Sequence, residues 1–209
     1  MDKLIILIPA FNELSNLKKI LNLENNFLVI DDQSTDGTET YLKKKKINYL
    51  KNSKNIGYEA SILKGFRHII KNYKNCKVIC TIDGDNEHPK KEIKKIYNYF
   101  LKNNLDLLVC NRKKKNRIIE NFFSFFFNLR FKIKDPLTGM KFYKLKSLNS
   151  ILNKINNKNF LVDIVYYFIK KKLKVENYQI FTNQNIKNSK IGHSFRVNLK
   201  VVKLLKYLI

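Results

Sequence analysis

Short, continuous apolar runs alternate with amphipathic segments through the first half of the chain, and this alternation most constrains the fold. The runs are LIILI (4–8), FLVI (27–30), INYLK (47–51), VICTI (78–82) and LDLLVC (105–110). Between them, segments 14–23, 38–46, 57–73 and 89–103 carry apolar residues at helical spacing, with Ile62, Phe66, Ile69 and Ile70 on one face of the third and Pro89 in the first turn of the fourth. Alternation at this spacing predicts a mostly parallel sheet with helices on both faces. Strands that are apolar throughout, not at every second residue, predict burial on both sides. The second half is less regular: a very aromatic helix over 118–131, a strand over 140–144, a helix over 160–172, a strand over 174–180, and an amphipathic helix over 195–209 that groups Val201, Leu204, Leu205 and Leu208. The 209 residues fit one α/β domain with no internal repeat and no linker long enough to divide it.

In an open parallel sheet, ligands bind beyond the carboxyl ends of the strands. The first strand is followed by Pro9-Ala10-Phe11-Asn12-Glu13, the second by Asp31-Asp32-Gln33-Ser34-Thr35-Asp36-Gly37-Thr38, and VICTI by Asp83-Gly84-Asp85-Asn86-Glu87-His88-Pro89. These ends are acidic in a chain of net charge +25, against the trend of its composition. Asp83, Asp85 and Glu87 stand two apart, so extended backbone would turn all three to one side. Converging carboxylates raise one another's pKa unless a cation neutralises them, and hard oxygen donors suit Mg²⁺ or Mn²⁺. The same acids also suit the N-terminus of the helix that starts near Pro89. The stretch alone leaves both readings open. Neither a G-x-G-x-x-G loop nor a Walker sequence follows any strand.

The positive charge favours phosphate-bearing partners: nucleotide, anionic lipid or nucleic acid. It also follows from a composition rich in Lys, Asn and Ile and poor in Arg. A nucleic-acid reader relies on Arg and on recognisable modules, and no zinc-finger spacing, basic zipper or aromatic RNA-binding motif is present, so nucleic acid is not expected as a partner. Cys76, Cys80 and Cys110 lie in or beside predicted strands and read as buried thiols of a reducing cytosol. With no secretory leader and no apolar stretch of 18 residues in the sequence, the chain is expected to be cytoplasmic and peripheral to the inner face of a membrane if it meets one.

The segments IPAFNE, VIDDQSTDGT, NIGYEASILKGF and TIDGDNEHPK, in this order, resemble the family 2 glycosyltransferases of the GT-A fold. The Asp83-x-Asp85-x-x-His88-Pro89 ending, DPLTGMKFY and NSKIG are most similar to the dolichol- or polyprenyl-phosphate mannose synthase branch, and the likeness covers roughly residues 3–192. The resemblance implies a nucleotide-sugar half (1–112) and an acceptor half (113–209) that ends in the C-terminal amphipathic helix. It implies that Pro9, Phe11, Glu13, Ile30 and Asp32 hold base and ribose. Asp83, Gly84 and Asp85 would bind the divalent metal and the sugar-nucleotide diphosphate. Glu87 stands where the branch commonly carries Gln as third metal ligand, and Arg112 matches an arginine near the donor. A loop that closes over the phosphates carries Arg, Gly, Ser and Lys in relatives; here Ser189 and Lys190 match, but Gln184 and Lys187 replace the Arg and the Gly.

The implied reaction is inverting, metal-dependent transfer of mannose or glucose from a GDP- or UDP-sugar to polyprenyl or dolichyl phosphate at the cytosolic membrane face. The second reading keeps the donor site and takes a saccharide acceptor in cell-surface polysaccharide synthesis. A phosphate acceptor is already ionised at neutral pH and needs no strong base, so positioning and electrostatics would carry catalysis. Arg117 and Arg130 flank the aromatic run 122–127, a pattern suited to a membrane interface that an isoprenoid chain can reach. Six consecutive helical residues cannot share one side, so some of these phenylalanines face away from the core. Asp163 suits either a base for a saccharide acceptor or an ion pair with a nearby lysine. His88 is placed to orient a carboxylate of the acidic cluster, His68 reads as solvent-facing, and His193 follows the Ser189-Lys190 loop. The basic C-terminal helix leaves room for a separate membrane-anchoring subunit.

Overall fold

The computed structural model describes residues 3–21, 26–113, 118–155 and 159–183. Seven strands form one sheet: β1 (Leu4–Ala10), β2 (Phe27–Asp31), β3 (Tyr49–Lys51), β4 (Val78–Thr81), β5 (Leu107–Arg112), β6 (Lys141–Lys144) and β7 (Val175–Ile180), in the order β3-β2-β1-β4-β6-β5-β7. β6 runs antiparallel to β4 and β5, and the other pairings are parallel. The helices are α1 (Leu14–Ile20), α2 (Thr38–Lys44), α3 (Tyr58–Asn72), α4 (Ile93–Lys102), α5 (Ile118–Phe131), α6 (Leu145–Asn149) and α7 (Phe160–Lys170).

The fully apolar strands behave as expected: every residue of β1, β2 and β4 is buried. Their alternate side chains feed two cores. Ile5 and Leu7 point into one, with Ile62, Phe66 and Ile69 of α3, Phe123 and Phe127 of α5, and Phe168 of α7. Leu4, Ile6 and Ile8 point into the other, with Leu17 of α1, Leu42 of α2, and Ile93 and Ile96 of α4. The period-2 pleat thus makes one strand serve both layers. Phe66 anchors the first core, its ring 5.1 Å from Tyr143 in an edge contact and 5.9 Å from Phe160.

Two local expectations are corrected, and one element is added. Pro89 does not open a long helix: Lys90–Glu92 form one 3₁₀ turn, and α4 starts at Ile93. The acids at 83–87 therefore sit a full turn before the helix, not at its N-terminus, and the helix-dipole reading loses its basis. The helix expected over 14–23 closes at Ile20, with Leu21 as its C-cap. Finally, the helix α6 follows β6 directly, where the sequence showed no clear period. The expected helix over 195–209 lies outside the described residues.

Candidate functional site

The carboxyl ends of β1, β2 and β4 are neighbours in the sheet, so the three acidic stretches meet at one edge. Side-chain hydrogen bonds lock the first two loops together. Ser34 Oγ accepts from the Asn12 amide at 2.9 Å, Asn12 Oδ1 accepts from the Thr35 amide at 2.7 Å, and Asp36 Oδ2 accepts from the Leu14 amide at 2.9 Å. Asn12 takes the left-handed φ of 55° that this loop needs, a conformation Asn tolerates better than most residues.

Asp32 is buried, and its carboxylate organises the chain beyond β3. Oδ1 accepts from Asn52 Nδ2 and the Ile56 amide, and Oδ2 from the Gly57 amide, each at 2.8 Å. Gly57 has a φ of 87°, which favours glycine at this turn. Of the residues linked by resemblance to base and ribose, Pro9 and Ile30 are buried, with Ile30 in the core, whereas Phe11 is 45 % exposed at the mouth. Glu13 accepts from Asn16 Nδ2 at 2.7 Å. Gly84 ties this loop to the acidic pair: an added Cβ there would stand 3.0 Å from the Pro9 carbonyl oxygen and 3.6 Å from Glu13 Cγ.

The three acids at 83–87 do not form the single row that extended backbone would give. β4 ends at Thr81, and Asn86 turns left-handed at φ 64°. Among the described residues no group of three His, Cys, Asp or Glu is arranged to hold a metal ion. The two aspartates are instead differentiated. Asp83 is gripped at both oxygens: Tyr58 donates to Oδ1 at 2.7 Å, and His88 Nε2 lies 3.0 Å from Oδ2. Burial would raise its pKa, but the charge and hydrogen bond of His88, with Tyr58 and the charge of Arg112, hold it down at about 2. Asp85 goes the other way: burial, then the charge of Asp83, push its carboxyl up to about 6. Its Oδ1 accepts from the Glu87 amide at 3.0 Å. The chain beyond β7 returns to this loop, where the Asn183 amide donates to the Glu87 carbonyl at 2.8 Å and Asn183 Nδ2 to the Asn86 carbonyl at 3.1 Å.

The split has a measurable consequence. With a folded pKa near 6 against an ordinary value of 3.8, Asp85 binds more proton in the folded than in the unfolded chain across that interval. Its contribution to stability therefore falls as pH rises from about 4 to 6. Asp83 contributes oppositely: its stabilisation is present above 3.8 and is lost as pH falls toward about 2. In the metal-free protein, Asp85→Asn is expected to gain urea resistance relative to the native chain on going from pH 4.5 to pH 6.5. A difference that stays constant over this range would refute the assignment.

Arg112 is not a loose cation. Its Nε donates to Asp135 Oδ2 at 2.8 Å, its Nη2 to Asp135 Oδ1 at 3.2 Å and to Glu120 Oε2 at 3.4 Å. Burial acts to lower its pKa, but the charges of Asp135 and Glu120 more than offset this and raise it. Sequence reasoning gave no role to Tyr58 and Gly139, which touch Asp83, to Asp135, which holds Arg112, or to Thr138 and Lys141 on the adjoining chain. Gly139 lies against Asp83 so closely that an added Cβ would be 2.1 Å from Oδ1, and its carbonyl accepts from Thr81 Oγ1 at 2.6 Å. The one available signal was DPLTGMKFY, quoted as motif but not resolved into roles.

On α5 the aromatic run divides as helical geometry requires. Phe123 and Phe127 are buried, while Phe122, Phe125, Phe126 and Leu129 form an outer stripe 37–58 % exposed. Arg130 is exposed and lies 5.7 Å from the Phe131 ring. No described helix is long and apolar enough to cross a membrane. Asp163 is buried in the first turn of α7, and His68 is partly buried against Asn72, 3.1 Å from its Nδ2. Arg117, Gln184, Lys187, Ser189, Lys190 and His193 lie outside the described residues.

Comparison with known proteins completes this picture. A solved glucosyl-3-phosphoglycerate synthase from Mycobacterium tuberculosis, in complex with Mn²⁺, UDP and glucosyl-3-phosphoglycerate, superposes with a TM-score of 0.74 over 99 % of this chain and 80 % of that one. At 13 % identity that likeness establishes the fold. An uncharacterised protein of Methanocaldococcus jannaschii is 37 % identical over 135 residues, 58 % of each chain. A dolichol-phosphate mannosyltransferase of Pyrococcus furiosus is 26 % identical over 131 residues, 57 % of this chain and 36 % of that protein. The chain thus spans only 58 % and 36 % of these two relatives' length. The model of glycosyl transferase family 2 matches residues 5–160, most of the chain and all of the acidic edge, and the protein belongs to that family of transferases.

Proposed function

We propose that this glycosyltransferase moves mannose or glucose, with inversion, from a GDP- or UDP-sugar to a polyprenyl or dolichyl phosphate at the cytosolic face of a membrane. The observation that carries the donor half is the split acidic pair. Asp83 is a fixed anion, and Asp85 is a carboxyl whose charge is suppressed by burial and by that neighbour. Such a site lacks one cation, and its hard oxygen donors fit Mg²⁺ or Mn²⁺. Asp85 would hold the ion, with Asp83 and Glu87 as the neighbouring carboxylates. Once bound, a divalent ion neutralises the diphosphate that leaves.

The chain's own residues set the rest. Tyr58 and His88 fix the Asp83 carboxylate so that it does not turn when the donor arrives. Phe11, exposed at the mouth beside Glu13, offers a face to the base. Asp32 acts through the 55–57 turn that it holds. Arg112, locked by Asp135 and Glu120, supplies positive potential from a fixed position without touching the donor. Asn183 fastens the departing chain to the acidic loop, and the phosphate role of Lys187, Ser189 and Lys190, which follow it in the sequence, is carried over from the family resemblance. The 1–112 half would thus hold the donor and the 113–209 half the acceptor.

The lipid acceptor and the membrane surface are supported by the relative that is a dolichol-phosphate mannosyltransferase and by the outer stripe of α5. In the sequence Arg117 and Arg130 bracket the aromatic run, and their charges suit anionic headgroups or the acceptor phosphate. Phe122→Ser, Phe125→Ser and Phe126→Ser combined are expected to reduce sedimentation with anionic vesicles at least tenfold. Thermal stability should stay nearly native, because exposed side chains contribute little to the core. Unchanged sedimentation would remove the membrane from the reading. A saccharide acceptor is the second reading, favoured by Gln184 and Lys187 where relatives carry Arg and Gly.

The test is calorimetry of GDP-mannose, UDP-glucose and UDP-N-acetylglucosamine, with and without Mn²⁺, followed by transfer to detergent-solubilised polyprenyl phosphate or to oligosaccharide. Metal-dependent binding of one donor supports the donor site, and the acceptor assay separates the two readings. No donor binding with metal present would overturn the proposal.

A further inference from the structure

Lys141 is fully buried in the middle of the sheet, paired in register with Thr81 of β4 and Val109 of β5. Its Nζ donates to the Thr138 carbonyl. A buried ammonium is expensive to keep, and an apolar side chain of similar length would fill the position at lower cost. The nearby charges say what it faces. Asp135 and Asp83 favour its protonated form, and Arg112 and burial oppose it. Asp135 is already matched by the Arg112 backbone amide, Nε and Nη2. Asp83 lies two residues beyond Thr81, the register partner of Lys141, and against Gly139, two residues before Lys141, so the ammonium shares the sheet face of Asp83 and its field also reaches that carboxylate.

We propose that Lys141 is a buried counter-charge to Asp83, loosening the hold of the acidic edge on a divalent cation alone and strengthening its hold on the donor diphosphate, so that the two are taken up together. The proposal rests on the reading of this edge as a metal and nucleoside-diphosphate site. It agrees with the absence, among the described residues, of a three-acid cage that would grip an ion alone. A single fixed charge must act on cation and anion with opposite signs, whereas a purely structural lysine, once removed, would weaken both.

The experiment uses that difference. Burial lowers the Lys141 pKa to about 7, so binding is compared at pH 6, where the ammonium carries its charge. Native protein, Lys141→Met, Lys141→Gln and Lys141→Arg are titrated with Mn²⁺ alone, and separately with UDP or GDP in the presence of a chelator. At an effective dielectric near 20, loss of one unit charge at about 10 Å changes each affinity at least tenfold. Lys141→Met should bind Mn²⁺ tighter and the metal-free nucleoside diphosphate more weakly by such factors, and Lys141→Arg should match the native protein. Lys141→Gln repeats the neutral test should the Met variant fail to fold. Unchanged affinities, or changes of the same sign for both probes, would overturn the role of Lys141 while leaving the donor site standing. A native protein that binds neither Mn²⁺ nor nucleotide, singly or together, would overturn the donor site itself.

Discussion

Asp85→Ala is expected to abolish metal-assisted donor binding and to lower turnover by about a thousandfold, the range seen when one preorganised electrostatic contact to a developing charge is removed. The size of this effect follows from the division of labour between the two aspartates. Asp83 already spends both oxygens on Tyr58 and His88, and Asp85 gives one to the Glu87 amide. Asp85 also carries the suppressed charge, which only a cation or a proton relieves. Removing it takes away the site's affinity for the ion without disturbing the clamp on Asp83. The fold should therefore survive, and metal-free stability near neutral pH should rise slightly, because a strained carboxylate is gone. The measurements are donor calorimetry with Mn²⁺, single-turnover transfer, and urea denaturation of the metal-free protein. Retention of metal-dependent binding in the variant would move the ion to Asp83 or Glu87. Loss of binding together with loss of fold would make the pair structural.

The parts of this design that were readable from the chain share one property: they depend on near neighbours. Continuous apolar runs reported double-sided burial of β1, β2 and β4, and acidic residues directly after those runs meet at one edge of the sheet, the proposed donor site. The division of the aromatic run into buried Phe123 and Phe127 and an exposed stripe followed from helical geometry alone. His88 beside Asp83 was within reach of a five-residue turn. What was not readable comes from distant pairings. Tyr58 is 25 positions from Asp83, and Asp135 is 23 from Arg112. They meet only because α3 packs under β1 and because β6 enters antiparallel between β4 and β5, which no local period announces. Lys141 drew no reading from the sequence beyond a strand over 140–144; the central place of that strand in the sheet buries it. The expected row of three acids failed for a smaller reason. Its premise was extended backbone to residue 87, and the strand stops at Thr81.

Gly139→Ala should disable the site from the side opposite the ligand. The added Cβ would lie 2.1 Å from Asp83 Oδ1, 2.4 Å from Oδ2 and 2.5 Å from Cγ, far inside contact distance. A free carboxylate at the end of a flexible side chain would swing away at little cost. This one is held by Tyr58 and His88, and Gly139 is held in turn by the Thr81 hydroxyl on its carbonyl. Either the clamp on Asp83 breaks or the 135–139 turn lifts off the strand. Overpacking of this kind costs about 1–3 kcal/mol of stability. Because Asp83 is the residue displaced, metal-assisted donor binding should fall at least tenfold beyond what the lost stability explains. The backbone at 139 is not in the left-handed region, so the effect is steric and not conformational. A double-mutant cycle isolates it: in an Asp83→Ala background the clash partner is gone, and Gly139→Ala should cost almost nothing. Equal costs in the two backgrounds would mean that the glycine serves the turn itself. The close approach to Asp83 would then be incidental, and the order of the acidic edge would have to come from Tyr58 and His88 alone.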